Sequence, residues 1–123
     1  MFKLQVASCL CGCVTVSVNQ IKPKFTLCHC DTCRKWGEGP LFAMQCTAEV
    51  VFDGLARVKE YDSSPCATRG FCAHCGTHIL YRLHKTGCYN IPVGLLPDLP
   101  NLEMTMQYFS DRRPEYYCFA NDT

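Results

Sequence analysis

The sequence predicts an all-β domain of short strands with little helix, stabilised by bound metal. Three observations predict it: period-two runs of branched apolar and polar residues, turn residues at fairly regular spacing between them, and 12 cysteines in 123 residues. A chain of this length is sufficient for a single domain, 1–123, with one core. Because short strands and loops give a modest core, we expect metal to supply part of the stability.

The strand predictions follow the alternation of apolar and polar side chains. In 14–18, valines alternate with Thr15 and Ser17, as in a strand with one buried face. Similar runs predict strands at 41–45, 49–52, 57–61, 78–83, 88–93 and 103–109. Turn residues separate the runs, as at Asp53-Gly54 and Thr86-Gly87. One helical turn is predicted over 31–36, where Asp31 or Thr32 can cap the start and Gly37 can end it.

Composition and charge exclude several classes of protein. Twelve Lys and Arg against eleven Asp and Glu give a net charge of +1, which offers no surface for a phosphate backbone, so we expect no nucleic-acid partner. The sequence has no run of 18 or more apolar residues, so we expect no membrane partner. Only eight residues precede Cys9, too few for a secretory signal. We therefore expect a cytoplasmic protein whose cysteines hold metal rather than form disulfides.

Two cysteine pairs have the spacing of a closed metal site. Cys9 and Cys11 are two residues apart, so they face the same side of an extended segment. Cys72 and Cys75 form a C-x-x-C pair followed by Gly76, which can adopt the positive φ of a zinc knuckle. Four thiolates complete a tetrahedral shell, so this zinc would be structural. The alternative for the second pair is a thioredoxin-type redox couple, which expects a βαβ context that the strand pattern does not give.

A third cluster, Cys28, Cys30 and Cys33, has three sulfurs within six residues. Zinc with three protein ligands keeps one position for water or a ligand, which is the mark of a catalytic site. In the alternative, His29 or another histidine closes the shell, and the site is structural. His29 lies between two ligands, so its ring would have to turn back towards the ion that they hold. The other histidines are interpreted as surface or satisfied core residues, and they are His74, His78 and His84.

Basic and aromatic residues follow the triplet. Arg34 and Lys35 are candidates for binding a carboxylate of a ligand, and the alternative is that they are solvated loop charges. Trp36 is predicted either to line a small pocket or to belong to the core. The remaining cysteines are predicted to be small buried hydrophobic residues, with one of them, Cys66, also placed to face the open zinc. They are Cys13, Cys46, Cys66, Cys88 and Cys118.

With these clusters, the chain resembles the glutathione-dependent formaldehyde-activating (GFA) family. The resemblance is carried by Ser8-Cys9-Leu10-Cys11-Gly12, by Cys28-His29-Cys30-Asp31-Thr32-Cys33-Arg34-Lys35, by Tyr61-Asp62-Ser63-Ser64-Pro65 and by Arg69-Gly70-Phe71-Cys72-Ala73-His74-Cys75-Gly76-Thr77. It spans about residues 6 to 97. It implies a β-tent (Mss4-like) fold with two zinc ions, a structural one on the two outer pairs and a catalytic one on the triplet.

The resemblance also implies a function, a carbon–sulfur lyase that joins glutathione and formaldehyde into S-hydroxymethylglutathione. The partners would then be a small-molecule thiol and an aldehyde. Near the motifs, the cations to test as partners of the glutathione carboxylates are Arg34, Lys35, Arg69 and Arg82. The segment 93–98 only partly repeats the family's turn, which leaves the substrate open, and 108–117 is predicted to shape the pocket or a homodimer contact. The alternatives are a non-catalytic zinc-binding interaction module and a redox or metal-buffering protein.

Overall fold

The computed structural model describes residues 4–46 and 50–123, and over these residues the chain forms ten β-strands and one α-helix. The strands are β1 (Gln5–Ser8), β2 (Thr15–Val18), β3 (Lys24–Cys28), β4 (Leu41–Cys46), β5 (Val50–Asp53), β6 (Val58–Ser64), β7 (Ala67–Cys72), β8 (His78–Leu83), β9 (Tyr89–Pro92) and β10 (Glu103–Tyr108). The helix is α1 (Asp31–Gly37), and three short 3-10 turns lie at Leu55–Arg57, Val93–Leu95 and Ser110–Arg112. No helix in this part of the chain has the length and apolar character needed to cross a membrane.

The strands form two sheets. The smaller is antiparallel with the order β1-β2-β5, and the larger has seven strands in the order β10-β3-β4-β9-β8-β7-β6. All pairings in the larger sheet are antiparallel except that of β10 with β3, which is parallel. The parallel pairing brings residues 103–108 back beside β3, the strand that ends in Cys28. The C-terminal part of the chain therefore lies next to the cysteine triplet.

One apolar core joins the two sheets. Val16 and Val18 of β2 are buried, whereas Thr15 and Ser17, which alternate with them, are half-exposed, as the pattern predicts. These valines belong to the same buried cluster as Met44, Ile79 and Ile91 of the larger sheet. The core therefore fixes the small sheet against β4, β8 and β9.

The all-β class with little helix is confirmed, and most predicted strands are found with shifts of a few residues at their ends. The predicted strand 49–52 corresponds to β5, but its first residue, Glu49, lies outside the described residues. Three strands, β1, β3 and β7, were not predicted. β7 lies inside the larger sheet and is buried on both faces, so its sequence does not alternate. β1 is only four residues long.

Gly54 allows the turn after β5 to approach the loop that leads into β2. Its φ is +83°, and a Cβ atom there would overlap the carbonyl oxygen of Cys13. An L-residue would be strained in this conformation and would also clash with rigid backbone. Gly54 therefore keeps β5 in contact with the first cysteine loop.

Replacing Gly54 with alanine tests this contact. We expect Gly54→Ala to lower the free energy of unfolding of the metal-loaded protein by about 3 kcal/mol, from the left-handed backbone and the clash together. Gly87→Ala is the matched control, because Gly87 has φ +71° but no heavy atom within 4 Å of the position that a Cβ would take. The control should cost about 1 kcal/mol. Equal losses in denaturant unfolding would contradict the role of the Cys13 contact.

Candidate metal centres and active site

The two outer cysteine pairs meet in one cluster. Cys9 and Cys11 lie in the loop between β1 and β2, and Cys72 and Cys75 lie at the end of β7 and in the turn that follows it. The four sulfurs are all within 4.8 Å of one another, with Cys9 3.5 Å from Cys11 and Cys11 3.7 Å from Cys72. The cluster can hold one tetrahedral metal ion. An ion there would join the small sheet to the larger one.

Hydrogen bonds within and between the two loops orient these sulfurs. The Thr77 hydroxyl lies 3.1 Å from the Cys75 sulfur and accepts a hydrogen bond from the Leu10 amide at 3.2 Å. Hydrogen bonding by Thr77 lowers the pKa of Cys75 to about 5. The Val14 amide donates to the Cys9 sulfur at 3.4 Å. Amide and hydroxyl donors of this kind stabilise thiolates, the form of cysteine that binds metal.

The triplet lies between the end of β3 and the first turn of α1. Cys28 ends the strand, Cys30 precedes the helix and Cys33 lies in its first turn, and the three sulfurs are all within 4.8 Å of one another. The N-cap is Cys30, whose sulfur accepts from the Cys33 amide at 3.3 Å, so the prediction of Asp31 or Thr32 as the cap is wrong. A sulfur can take this place because an N-cap needs only a side-chain acceptor with extended backbone, and Cys30 has φ −63° and ψ 157°.

His29 does not close the triplet. Its side chain is fully buried, with Nδ1 2.7 Å from the Tyr117 hydroxyl and Nε2 2.8 Å from Oε1 of Gln107. Both ring nitrogens therefore have partners other than metal. Within residues 4–46 and 50–123, no further cysteine, histidine, aspartate or glutamate joins the three sulfurs as a ligand group. The triplet can hold a metal ion with one coordination position left for a ligand.

Arg69 is the cation in contact with the triplet. It is only 4% exposed, its Nη2 donates to the Cys33 sulfur at 3.4 Å, and its Nε donates to the Ser63 hydroxyl at 3.0 Å. Its guanidinium also lies over the ring of Tyr81, at 4.8 Å from the centroid. Hydrogen bonding from the Cys28 thiol and then from Arg69 lowers the pKa of Cys33, against the opposing effect of burial. The contact with Cys33 raises the pKa of Cys28.

Two of the other cations predicted to bind a ligand already have polar partners, and the third is exposed. Arg34 donates from Nε to the carbonyl of His29 at 3.0 Å and from Nη2 to Asp31 at 2.8 Å. Arg82 forms an ion pair with Glu60 at 3.0 Å. Lys35 is exposed and lines a recess between α1 and β6. Carboxylate binding by Arg34, Lys35 and Arg69 stays a prediction.

A cavity of about 290 Å³ borders the triplet. Cys28 and Cys33 form part of its wall, together with Tyr81. Trp36 lines a smaller recess on the other side of Cys33, where its ring stacks on His78 at 4.7 Å between centroids. The sequence analysis named 108–117 as a segment that could shape a pocket, but it missed the rest of the wall. That wall combines residues from β3, β4, β8, β9 and β10, which are distant in sequence.

The C-terminal segment after β10 packs against the triplet loop. Arg112 forms an ion pair with Asp31, and Arg113 donates to the carbonyl of Tyr117, which itself contacts His29. The ring of Phe119 lies against Phe42 with centroids 5.7 Å apart. These contacts place the tail behind the metal loop, while Tyr108 and Phe109 line the cavity. The dimer contact predicted for this segment stays a prediction.

The five remaining cysteines differ in exposure. Cys46 is buried as predicted, and burial raises its pKa to about 11. Cys13 and Cys88 are half-buried. Cys66 and Cys118 are exposed, so the prediction of burial is wrong for both. Cys66 lies at the turn between β6 and β7, where its side chain is in contact with solvent and is not packed in the core. It does not join the cysteine triplet as a ligand group.

A known protein family matches most of the chain. Residues 5–112 match the family described as glutathione-dependent formaldehyde-activating enzyme. The chain belongs to this family. It is 36% identical over 118 residues to an uncharacterized lyase of Schizosaccharomyces pombe, an alignment that covers 94% of this chain and 85% of the relative.

The fold of this family member also has a counterpart among solved structures. A crystal structure of a Rhodobacter sphaeroides protein superposes with a TM-score of 0.66 and covers 81% of this chain and 99% of its own. The two sequences are 20% identical, so the likeness concerns the fold alone.

The contact between Arg69 and Cys33 predicts an effect on metal binding in this family member. Three thiolates around a divalent ion would leave one net negative charge, which the buried guanidinium of Arg69 would compensate. We expect Arg69→Met to weaken zinc binding at the triplet by about 10- to 100-fold and to leave the four-cysteine cluster unchanged. Titration with a chromophoric zinc chelator measures both affinities, because the triplet and the four-cysteine cluster should release zinc in two separate phases.

Arg82→Met is the matched control for Arg69→Met. Arg82 lies on the neighbouring strand β8, and its charge is paired with Glu60. This variant should retain both affinities of the native protein. The proposed charge compensation is refuted if the two variants lose zinc equally or if Arg69→Met retains native affinity.

Proposed function

We propose that the chain is a zinc-dependent carbon–sulfur lyase that joins or cleaves a thiol–aldehyde adduct, with glutathione and formaldehyde giving S-hydroxymethylglutathione. Membership of the family and the relative named as a lyase support a lyase function related to formaldehyde activation. The observation that carries the proposal is the triplet of sulfurs with His29 turned away and a cavity at its side. A reducing cytoplasm, where glutathione is abundant, fits twelve free cysteines.

The donor atoms fit zinc at both clusters. Sulfur ligands in sets of four and three favour zinc over magnesium or calcium, which prefer oxygen. Cys9, Cys11, Cys72 and Cys75 would hold a structural ion with a closed shell. Cys28, Cys30 and Cys33 would hold the catalytic ion.

The reaction adds a thiol across a carbonyl group. One S–C bond forms, the C=O double bond becomes a single bond, and the thiol proton ends on the new hydroxyl oxygen, so nothing is oxidised or reduced. Zinc, when bound, supplies a positive centre that favours the thiolate form of an incoming thiol and orients the two reactants. Cleavage of the adduct is the same step reversed.

Several side chains of the protein would support this reaction. Arg69 balances the negative charge of the sulfurs through its contact with Cys33. The cavity wall offers apolar surface beside the triplet. Tyr81 contributes an uncharged phenol to the wall, since a phenol is protonated at neutral pH and burial raises the pKa of this one further. A protonated phenol can donate a hydrogen bond to the oxygen of the reacting carbonyl.

The two-ion arrangement predicts different effects of single cysteine replacements. We expect two zinc ions per native chain, and removal of the structural ion should unfold the protein, because such an ion contributes on the order of 10 kcal/mol or more to a small fold. Cys75→Ser should therefore be insoluble or unfolded. Cys30→Ser should keep the fold and one ion, since serine also serves well as the N-cap of α1.

Zinc content by atomic emission and folding by circular dichroism measure these effects. If Cys30→Ser unfolds as completely as Cys75→Ser, then the triplet is a second structural site. A content of one zinc or none in the native protein would equally refute the proposed open site.

The thiol reactant is tested with cobalt in place of zinc. We expect glutathione to shift the thiolate-to-cobalt absorption of the native protein. It should leave the absorption of Cys30→Ser unchanged, because that variant should no longer hold the ion of the triplet. In the zinc protein, exchange between formaldehyde, glutathione and S-hydroxymethylglutathione, followed by NMR, should be faster than without protein. The proposal fails if glutathione leaves the cobalt band unchanged and the exchange rate does not rise, the result expected of an interaction module.

A further inference from the structure

The size and lining of the cavity beside the triplet indicate which aldehyde the protein would bind. We infer that it binds an apolar substituent of the aldehyde, so that this chain acts on aldehydes with an aliphatic chain or a phenyl group in preference to formaldehyde. The inference rests on the proposed thiol–aldehyde reaction, and it replaces formaldehyde with a larger aldehyde as the preferred carbonyl reactant.

The size of the cavity favours a substituent. Its volume is about 290 Å³. An apolar cavity of roughly 150 Å³ accommodates benzene, so this one has room for a phenyl ring or a chain of several carbons beyond the reacting group. Formaldehyde has only one carbon and one oxygen and would leave most of the volume unfilled.

The wall of the cavity selects uncharged groups. Leu41, Ala43 and Leu83 supply apolar surface, and Tyr108 and Phe109 add aromatic rings that are about half exposed. In the described part of the chain, no lysine, arginine, histidine, aspartate or glutamate lines this cavity. The polar side chains in the wall, Thr26, Gln45 and Asn90, are uncharged. A carboxylate or ammonium group would therefore lose hydration here without gaining an opposite charge, which is unfavourable.

The two reactants differ in charge, and the cavity therefore discriminates between them. Glutathione carries two carboxylates and an ammonium group, so its body is excluded from the cavity and only its sulfur approaches the triplet. The nearest buried cation, Arg69, already donates to Cys33 and Ser63. The substituent of the other reactant, the aldehyde, is the group that matches the cavity in size and polarity.

Inert analogues of the adduct test the inference without turnover. S-methyl-, S-propyl-, S-hexyl- and S-benzylglutathione share the charged tripeptide and differ only in the group that would enter the cavity. Each buried methylene strengthens binding by on the order of fourfold. By isothermal titration of the zinc-loaded protein, we expect S-hexyl- and S-benzylglutathione to bind at least about tenfold more tightly than S-methylglutathione.

Two leucine variants locate the effect. Leu83→Arg places a charge in the wall, and it should abolish the difference between the S-hexyl and S-methyl compounds. Leu55→Arg is the control, because Leu55 is 51% exposed in the turn before β6 and does not line the cavity. It should show the same series of affinities as the native protein. If Leu83→Arg does not fold by circular dichroism, the series on the native protein decides.

The outcomes distinguish this inference from the proposed function. Equal affinities for all four analogues overturn the inference, and so does an S-hexyl preference that persists in folded Leu83→Arg. Neither result affects the proposed thiol site, because that site is tested separately by the cobalt band with glutathione. If glutathione leaves that band unchanged, the proposed function itself fails.

Discussion

Crowding of cysteine sulfurs is the constraint on which the structure depends. Four sulfurs gather in one place and three in another, each set within 4.8 Å. Thiolates this close repel one another, and they can ionise together only if positive charge or hydrogen-bond donors lie beside them. The protein supplies such donors from the Thr77 hydroxyl, from backbone amides and from the guanidinium of Arg69. A divalent metal ion would supply the remaining positive charge that the thiolates need.

The two sets of sulfurs occupy different places in the fold. The set of four lies between the small sheet and the turn after β7, where an ion can only hold the two sheets together. The triplet lies at the end of β3, where α1 begins, with a cavity on one side and the C-terminal tail on the other. His29 lies between two of the cysteines, but Gln107 and Tyr117 contact both of its ring nitrogens. The polar contacts of this buried side chain therefore make it unavailable as a fourth ligand.

Local patterns predicted a large part of this arrangement. The cysteine spacings identified the two groups that the structure brings together, because metal ligands near in sequence leave a fixed spacing. The alternation in 14–18 predicted β2, since one face of that strand is buried and the other is not. β7 was missed because a strand covered on both faces has no alternation, and it contains Arg69 and Gly70, which are not typical of a buried strand. Contacts such as that of His29 with Tyr117, 88 residues later, leave no local pattern at all.

A crystal structure of the zinc-loaded protein tests the open triplet most directly. We predict one ion with four sulfur ligands and a second ion with three, Cys28, Cys30 and Cys33, each at about 2.3 Å. The fourth ligand of the second ion should be water or a small molecule from solution. An imidazole or carboxylate of the chain in that position, or a triplet that binds no zinc, would contradict the open catalytic site.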